Sequence, residues 1–311
     1  MNKIALVFPG QASQYVGMGK DLYESDSSIK QLYEIASTEI GEDIAKISFE
    51  GPAEKLKETR FTQPAILLHS LALLKIMRDS IPDASLTAGH SLGEYGSLAL
   101  AGVLSFEDSI KAVVKRSSLM EISCRQNPGT MAAVIGLEED KITELCRKAS
   151  HAGIVVPANF NASNQIVISG SIAGVNEACR LCKEAGAKRV MPLQVGGAFH
   201  SPLMGSAGKD LESHLERLAF NTPKINIVPN VTGKAENDPV KLKKLLVEQI
   251  TAPVRWYHTM KFFGEYGIDT VIEVGPGKVL AGIAKRELEG SQIINIDTLH
   301  DLRNFTRVEV G

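Results

Sequence analysis

The chain has no apolar run long enough to cross a bilayer, no Walker A stretch and no Gly-x-Gly-x-x-Gly behind a strand. Those absences argue against a membrane-spanning protein and against the common phosphate-cradling nucleotide sites. The first apolar run, Ile4 to Phe8, stops at Pro9-Gly10, too early for a secretory leader, and reads as a first strand; the expected location is cytoplasmic. Excess charge is also missing: 34 Lys and Arg against 36 Asp and Glu leave a net charge of -2. No global attraction to nucleic acid or a membrane surface follows, so any charged partner has to meet a local patch. Cysteine is scarce, with four in 311 residues. Cys179 and Cys182 form a C-x-x-C inside a helical stretch, and no second pair lies at metal-ligand spacing, so no metal site is expected. Asn161-Ala162-Ser163, Asn230-Val231-Thr232 and Asn304-Phe305-Thr306 match the glycosylation acceptor pattern, which carries no meaning in a protein that is not secreted.

What is present is an ordinary globular composition, 44% hydrophobic and 23% charged, in a chain long enough for one large domain and a smaller one. Short apolar runs at 3–8, 86–88, 270–274 and 293–296 alternate with longer helical stretches, the pattern of a parallel sheet covered on both faces. Helices are predicted over 64–79, 92–101, 106–124 with Ser105 and Asp108 as a capping box, 203–219, 239–250, 256–266 and 278–288. Between 130 and 193 the rhythm changes to strand (131–135), helix (138–150), strand (154–158), strand (165–169), helix (172–185) and strand (188–193). That is βαββαβ, the ferredoxin-like order. The expected organisation is an α/β core of 1–126 and 198–311 carrying an inserted ferredoxin-like subdomain of 127–197. Asn127-Pro128-Gly129 and Val195-Gly196-Gly197 are predicted hinges, and the junction of the two units is the expected cleft.

Chemistry enters at Gly89-His90-Ser91-Leu92-Gly93-Glu94, where an apolar run meets a Gly-x-Ser-x-Gly turn ahead of a helix. A serine between two glycines at a strand-to-helix turn can be held in a strained conformation with its hydroxyl clear of the sheet, the nucleophile elbow. The first amides of the following helix then face the reacting carbonyl. Such a serine needs a base. Of seven histidines, His90 adjoins the serine and reads as elbow support, and His69, His151, His214 and His258 fall in or beside helical patterns. His200, in Gly196-Gly197-Ala198-Phe199-His200-Ser201-Pro202, and His300, which with Asp269 would complete the ordinary hydrolase order, both remain open on pattern alone.

Further motifs run in one order along the whole chain: Phe8-Pro9-Gly10-Gln11-Ala12-Ser13-Gln14, Thr62-Gln63-Pro64-Ala65, the elbow, Arg116, Ala198-Phe199-His200-Ser201 and Glu273-Val274-Gly275-Pro276-Gly277. In these the chain resembles the malonyl-CoA:acyl carrier protein transacylases, which implies that the α/β core is α/β-hydrolase-like and that the insertion is the family's ferredoxin-like subdomain. The resemblance implies Ser91 as the acyl-accepting nucleophile and His200 as its base, with His200 oriented by the main-chain carbonyl of Gln249 and the Gln249 amide secondary. It implies an oxyanion hole from the backbone N–H groups of Gln11 and Leu92, and substrate contacts from Arg116, Phe199 and Gln63. Arg116 would hold the free carboxylate of a malonyl group in a bidentate pair that lysine cannot imitate.

The resemblance further implies transfer from malonyl-CoA to the phosphopantetheine thiol of acyl carrier protein for fatty acid biosynthesis, with no metal or redox cofactor. A trans-acting polyketide acyltransferase is the alternative, followed by a serine hydrolase of the same fold and a non-catalytic docking module. In polyketide acyltransferases a Phe before the base histidine, and a hydrophobic residue after the nucleophile, go with malonyl, but Gly197 stands here where malonyl-type domains have a histidine. A basic rim is expected near the cleft, with Lys188-Arg189 and Lys285-Arg286 as candidates.

Overall fold

The first strand shows how the sequence builds two layers around a sheet. The computed structural model describes residues 2–77, 80 and 82–309. Among them are nine strands: β1 (Ile4–Phe8), β2 (Ala84–Gly89), β3 (Gly129–Ile135), β4 (Val155–Ala162), β5 (Gln165–Ser171), β6 (Arg189–Pro192), β7 (Asn226–Ile227), β8 (Thr270–Val274) and β9 (Gln292–Ile296). In β1, Leu6 and Phe8 face one apolar core while Ala5 and Val7 face another. A strand buried on both sides has no polar face to show, which is why these runs read as continuously apolar. Five strands form a parallel sheet in the order β7-β2-β1-β8-β9. Helices Thr59–Met77, Glu94–Leu100 and Phe106–Gln126 pack on the Leu6 side, and Trp256–Tyr266 and Val279–Glu287 on the Val7 side.

The second sheet is antiparallel, in the order β4-β5-β3-β6, and all of it comes from residues 129–192. Its two helices, Glu139–Ala149 and Ile172–Glu184, cover one face. Alternation along the strands decides what goes where. Ala132, Val134, Ile166 and Ile168 enter the small core under those helices, while Met131, Ala133 and Val167 turn to the main body. Cys146, Cys179 and Cys182 are free thiols in or against that small core. The antiparallel sheet is tied to the main body through the segment ahead of the helix Trp256–Tyr266: Val254 N donates to Ala158 O and Phe160 N to Val254 O, each at 2.8 Å.

Several boundaries differ from the sequence expectation. The helix expected over 64–79 begins at Thr59, with Pro64 inside it and its last described residue at Met77; Asp79 lies outside the described residues. Pro64 has no N–H for the Arg60 carbonyl, which receives a long 3.4 Å contact from the Ser117 hydroxyl, whose shorter bond is to Val114 O at 2.9 Å. The stretch expected as one helix over 203–219 is a 3-10 turn, Pro202–Met204, followed by a helix that ends at Leu215. Four helices between Lys20 and Leu56 were not expected at all. Two of the three glycines at the expected hinges are close-packed: a Cβ on Gly129 would lie 2.5 Å from Gly170 O and one on Gly197 would lie 2.2 Å from Cys124 Sγ, whereas one on Gly196 would meet only Thr59 Oγ1 at 3.6 Å. No helix among the described residues is long and apolar enough to cross a membrane.

Candidate active site

β2 runs into a 3-10 turn, Ser91–Gly93, and then the helix Glu94–Leu100. The elbow is tight for a steric reason. A Cβ on Gly89 would sit 2.0 Å from the Gly93 carbonyl, and one on Gly93 would sit 2.2 Å from Phe8 O, so only glycine fits either place. Ser91 is left at φ 53. Asn230 holds it there: its Oδ1 accepts the Ser91 N–H at 2.6 Å and its Nδ2 donates to Gly89 O at 2.6 Å. The non-glycine residues with positive φ among those described are Ala12, Ser91 and His200. All three line the same cavity, so the backbone strain of this fold is collected at one site.

His200 Nε2 lies 2.8 Å from Ser91 Oγ, and His200 Nδ1 lies 2.8 Å from the Gln249 carbonyl oxygen. That oxygen can only accept, so Nδ1 carries the hydrogen and Nε2 is left with a lone pair for the serine proton. His200 is 3% exposed. Burial, and next the Arg116 cation, push its pKa down to about 3, so the imidazole stands neutral and ready to accept. His300, the rival base, is exposed on the helix Leu299–Glu309 and pairs with Asn304, and Asp269 accepts from the Lys3 N–H. Neither reaches Ser91.

Arg116 is 1% exposed on the helix Phe106–Gln126, and burial lowers its pKa. Its Nη1 donates to Gln63 Oε1 at 2.6 Å, and its Nη2 to Gln249 Oε1 at 2.9 Å and to Ser91 Oγ at 3.0 Å. Those partners are all neutral, and no carboxylate pairs directly with Arg116 among the described residues. A buried guanidinium without a direct counter-ion is costly unless an anion is going to arrive. The Gln249 side chain, expected to be secondary, has a set of bonds of its own: Nε2 donates to Glu94 Oε2 at 2.8 Å and to Ser91 O at 3.1 Å.

The cavity holds about 520 Å³. Gln11, Leu92, Gln63, Phe199 and Met120 line its inner part, and Met131, Ala133 and Val167 of the antiparallel sheet form the opposite wall. Gln11 and Leu92, the two residues expected to supply oxyanion amides, both line this cavity together with Ser91. At the rim stand exposed Lys278 and Arg286. Of the predicted basic pairs only Arg286 lines the cavity; Lys188 and Arg189 are exposed on or beside β6, away from the cavity lining, a correction that follows from their place on the outer strand of the small sheet.

The sequence pattern assigned no site role to Asn230, Asn161, Glu94 or Lys278. Asn161 Oδ1 meets His90 Nε2 at 2.9 Å, tying β4 to the elbow, so two of the three acceptor-pattern asparagines are built into the site. Their only visible signal was the acceptor tripeptide itself. Among the described residues no group of three or more His, Cys, Asp or Glu is placed to hold a metal ion.

Residues 5–302 match the acyl transferase domain family. The chain is 41% identical to the malonyl CoA-acyl carrier protein transacylase of Haemophilus influenzae over 311 residues, 99% of each chain. The structure is similar to that of an acyl carrier protein S-malonyltransferase from Vibrio cholerae, with a TM-score of 0.92 at 40% identity, covering 98% of this chain and 100% of that one. It is also similar to a malonyl-transacylase solved in complex with a type II PKS acyl-carrier protein, with a TM-score of 0.93 at 37% identity, covering 99% and 100%.

Proposed function

The chain belongs to the acyl transferase domain family, and from that we propose that it moves a malonyl group from malonyl-CoA to the phosphopantetheine thiol of an acyl carrier protein, supplying extender units for fatty acid biosynthesis. The observation that carries this reading is the buried Arg116 guanidinium 3.0 Å from Ser91 Oγ. It sets a guanidinium that can pair with a carboxylate within hydrogen-bond reach of the nucleophile.

In this reading the malonyl carboxylate pairs with Arg116 and the thioester carbonyl turns toward the amides of Gln11 and Leu92. Ser91 Oγ attacks, its proton passes to His200 Nε2, and the negative charge of the tetrahedral intermediate rests on the two N–H groups. The C–S bond breaks, His200 returns the proton to the CoA sulfur, and a malonyl-serine ester remains. The carrier thiol then repeats the steps in reverse. Thioester exchange involves no change of oxidation state, so no redox cofactor is called for and the CoA thioester is itself the substrate.

The bound carboxylate also helps the base. Arg116 is one cause of the depressed His200 pKa, and a substrate anion that neutralises the guanidinium raises the basicity of His200. An acetyl group leaves the cation unpaired and the base weak, so discrimination is expected in kcat as well as in binding. A reaction between a CoA thioester and a carrier protein agrees with the cytoplasmic location expected from the sequence.

Intact-mass spectrometry after brief exposure to malonyl-CoA, methylmalonyl-CoA and acetyl-CoA tests the reading. The expected result is a malonyl adduct that persists in water and moves to acyl carrier protein. Release of free malonate without an adduct indicates a hydrolase, and neither adduct nor turnover indicates a docking module. The likeness to the transacylase solved with a type II PKS carrier favours a second carrier class, and comparing transfer to fatty-acid and polyketide carriers decides between them.

A further inference from the structure

Glu94 is 1% exposed and sits directly behind the elbow. One of its oxygens, Oε2, accepts both the Asn230 N–H at 2.9 Å and Gln249 Nε2 at 2.8 Å. The other end of the same Gln249 amide accepts from Arg116 Nη2 at 2.9 Å. A carboxylate, an amide and a guanidinium therefore stand in line. The amide polarity is the one two opposite charges would impose, N–H₂ toward the anion and C=O toward the cation.

We propose that Glu94 is the internal counter-charge of Arg116, held one amide away so that the guanidinium is balanced yet meets no carboxylate directly and keeps its Nε without a hydrogen-bond partner, and that it thereby limits how tightly the site grips an acyl carboxylate. A carboxylate placed directly on Arg116 would compete with the substrate. No counter-charge at all would leave a bare buried cation that holds the malonyl group too firmly to pass it on. The relay through Gln249 avoids both, and Glu94 acts as a positioning and specificity-determining residue without touching substrate.

The ionisable groups facing Glu94 are Arg116 from the helix Phe106–Gln126 and Tyr95 on its own helix, with His200 beyond Gln249. Burial raises the Glu94 pKa to about 7, with Arg116 and the two hydrogen bonds opposing. Its charge therefore changes near neutral pH, while Arg116 stays charged and His200 stays neutral.

The inference rests on the malonyl-transfer reading, and the test separates the two. Glu94→Gln with its carbonyl oxygen in the place of Oε2 keeps both hydrogen bonds and loses only the charge. The probe is malonamate, the half-amide of malonic acid, whose single carboxylate stays ionised from pH 6 to 8, used as a competitive inhibitor of malonyl transfer.

The expected result is about tenfold tighter inhibition of Glu94→Gln than of wild type at pH 8, the size of a charge-charge term acting across the relay. In wild type the inhibition tightens from pH 8 to pH 6 as Glu94 takes up a proton, and in Glu94→Gln it stays flat. Glu273, also raised to about 7 by burial, remains in both proteins and so cannot produce that difference. Weaker or equal inhibition of the variant, or the same pH slope in both proteins, overturns the counter-charge role, since a merely structural glutamate would loosen the site when replaced. Should Glu94→Gln not fold, a flat wild-type profile overturns the proposal on its own, and a tightening toward pH 6 that persists in Glu273→Gln upholds it while one that vanishes there overturns it. Absence of a malonyl adduct on wild type would instead overturn the malonyl-transfer reading.

Discussion

The two sheets that enclose the cavity contribute unlike things to it. The parallel sheet brings charge, strain and hydrogen bonds: Ser91 at the end of β2, Gln11 after β1, and Arg116 from a helix packed on its face. The antiparallel sheet brings Met131, Ala133 and Val167, a wall of apolar side chains. Carboxyl ends of parallel strands point together with helix N-termini behind them, which concentrates unspent amides and permits an oxyanion site. An antiparallel sheet uses its amides in the ladder and offers a surface of alternating side chains. Chemistry should therefore be lost from the first region in large steps and adjusted from the second in small ones.

The largest break is Ser91→Ala. It leaves Arg116 and the apolar wall in place, so malonyl-CoA should still bind while the mass adduct disappears and kcat falls by roughly 10⁶, the scale of removing a nucleophile from a coupled serine-histidine unit. Loss of binding together with catalysis would mean that Ser91 also holds the elbow's shape. Next in size is Arg116→Ala. Malonyl transfer should fall about 10³-fold and acetyl transfer should rise, because the variant removes both the carboxylate fork and the cation that weakens His200. Competition between the two thioesters measures it, and an unchanged preference for malonyl would remove Arg116 from its assigned role.

How much of this was legible beforehand follows the same division. The strand at Thr270–Val274 and the helix Trp256–Tyr266 fall where apolar periodicity put them, since burial on a sheet face leaves a strong pattern. Three of the helices from Lys20 to Leu56 have seven residues or fewer and give periodicity little room, while Ser27–Ile40, with 14 residues and an Asp26 cap, was missed although its length is no obstacle. Ser91 was visible through its flanking glycines, whose lack of a side chain is forced by contacts as close as 2.0 Å. Asn230 was not, because its role depends on a loop returning from 139 residues away to meet the Ser91 N–H. On pattern alone His200 and His300 were equals. Family resemblance separated them, and the Gln249 carbonyl at 2.8 Å supplies the physical reason, a main-chain acceptor in the place an aspartate would otherwise fill.

A third effect belongs to the charged region alone. Glu94 has its pKa raised to about 7 in the folded chain, against an ordinary 4.5. A carboxylate raised on folding lends stability that is complete below about pH 4.5 and is lost as the pH climbs through 7, since the folded state then has to keep a buried charge. Glu94→Gln has no such loss. Urea unfolding should find the variant gaining on wild type by up to about 3 kcal/mol between pH 5 and pH 8. No gain with pH would place the stabilising partners of the Glu94 anion, Arg116 and its two donors, ahead of the burial cost.

The smallest effect is expected from the apolar wall, at Val167→Ala. Val167 is 5% exposed, lies on β5, and faces the cavity from the side opposite Arg116. Removing two methyl groups there touches no hydrogen bond of the elbow, so the rate with malonyl-CoA should change by less than about threefold. Methylmalonyl-CoA carries one additional methyl group, and a methyl group in an apolar pocket is worth about 1 to 3 kcal/mol. If the wall sets the width of the acyl site, relative transfer of methylmalonyl should rise about tenfold. If preference stays as in wild type, the width is set on the other side of the cavity, where Phe199 precedes the base and Gly197 is pressed against Cys124, and selectivity for the acyl group would belong to the parallel-sheet region as fully as the chemistry does.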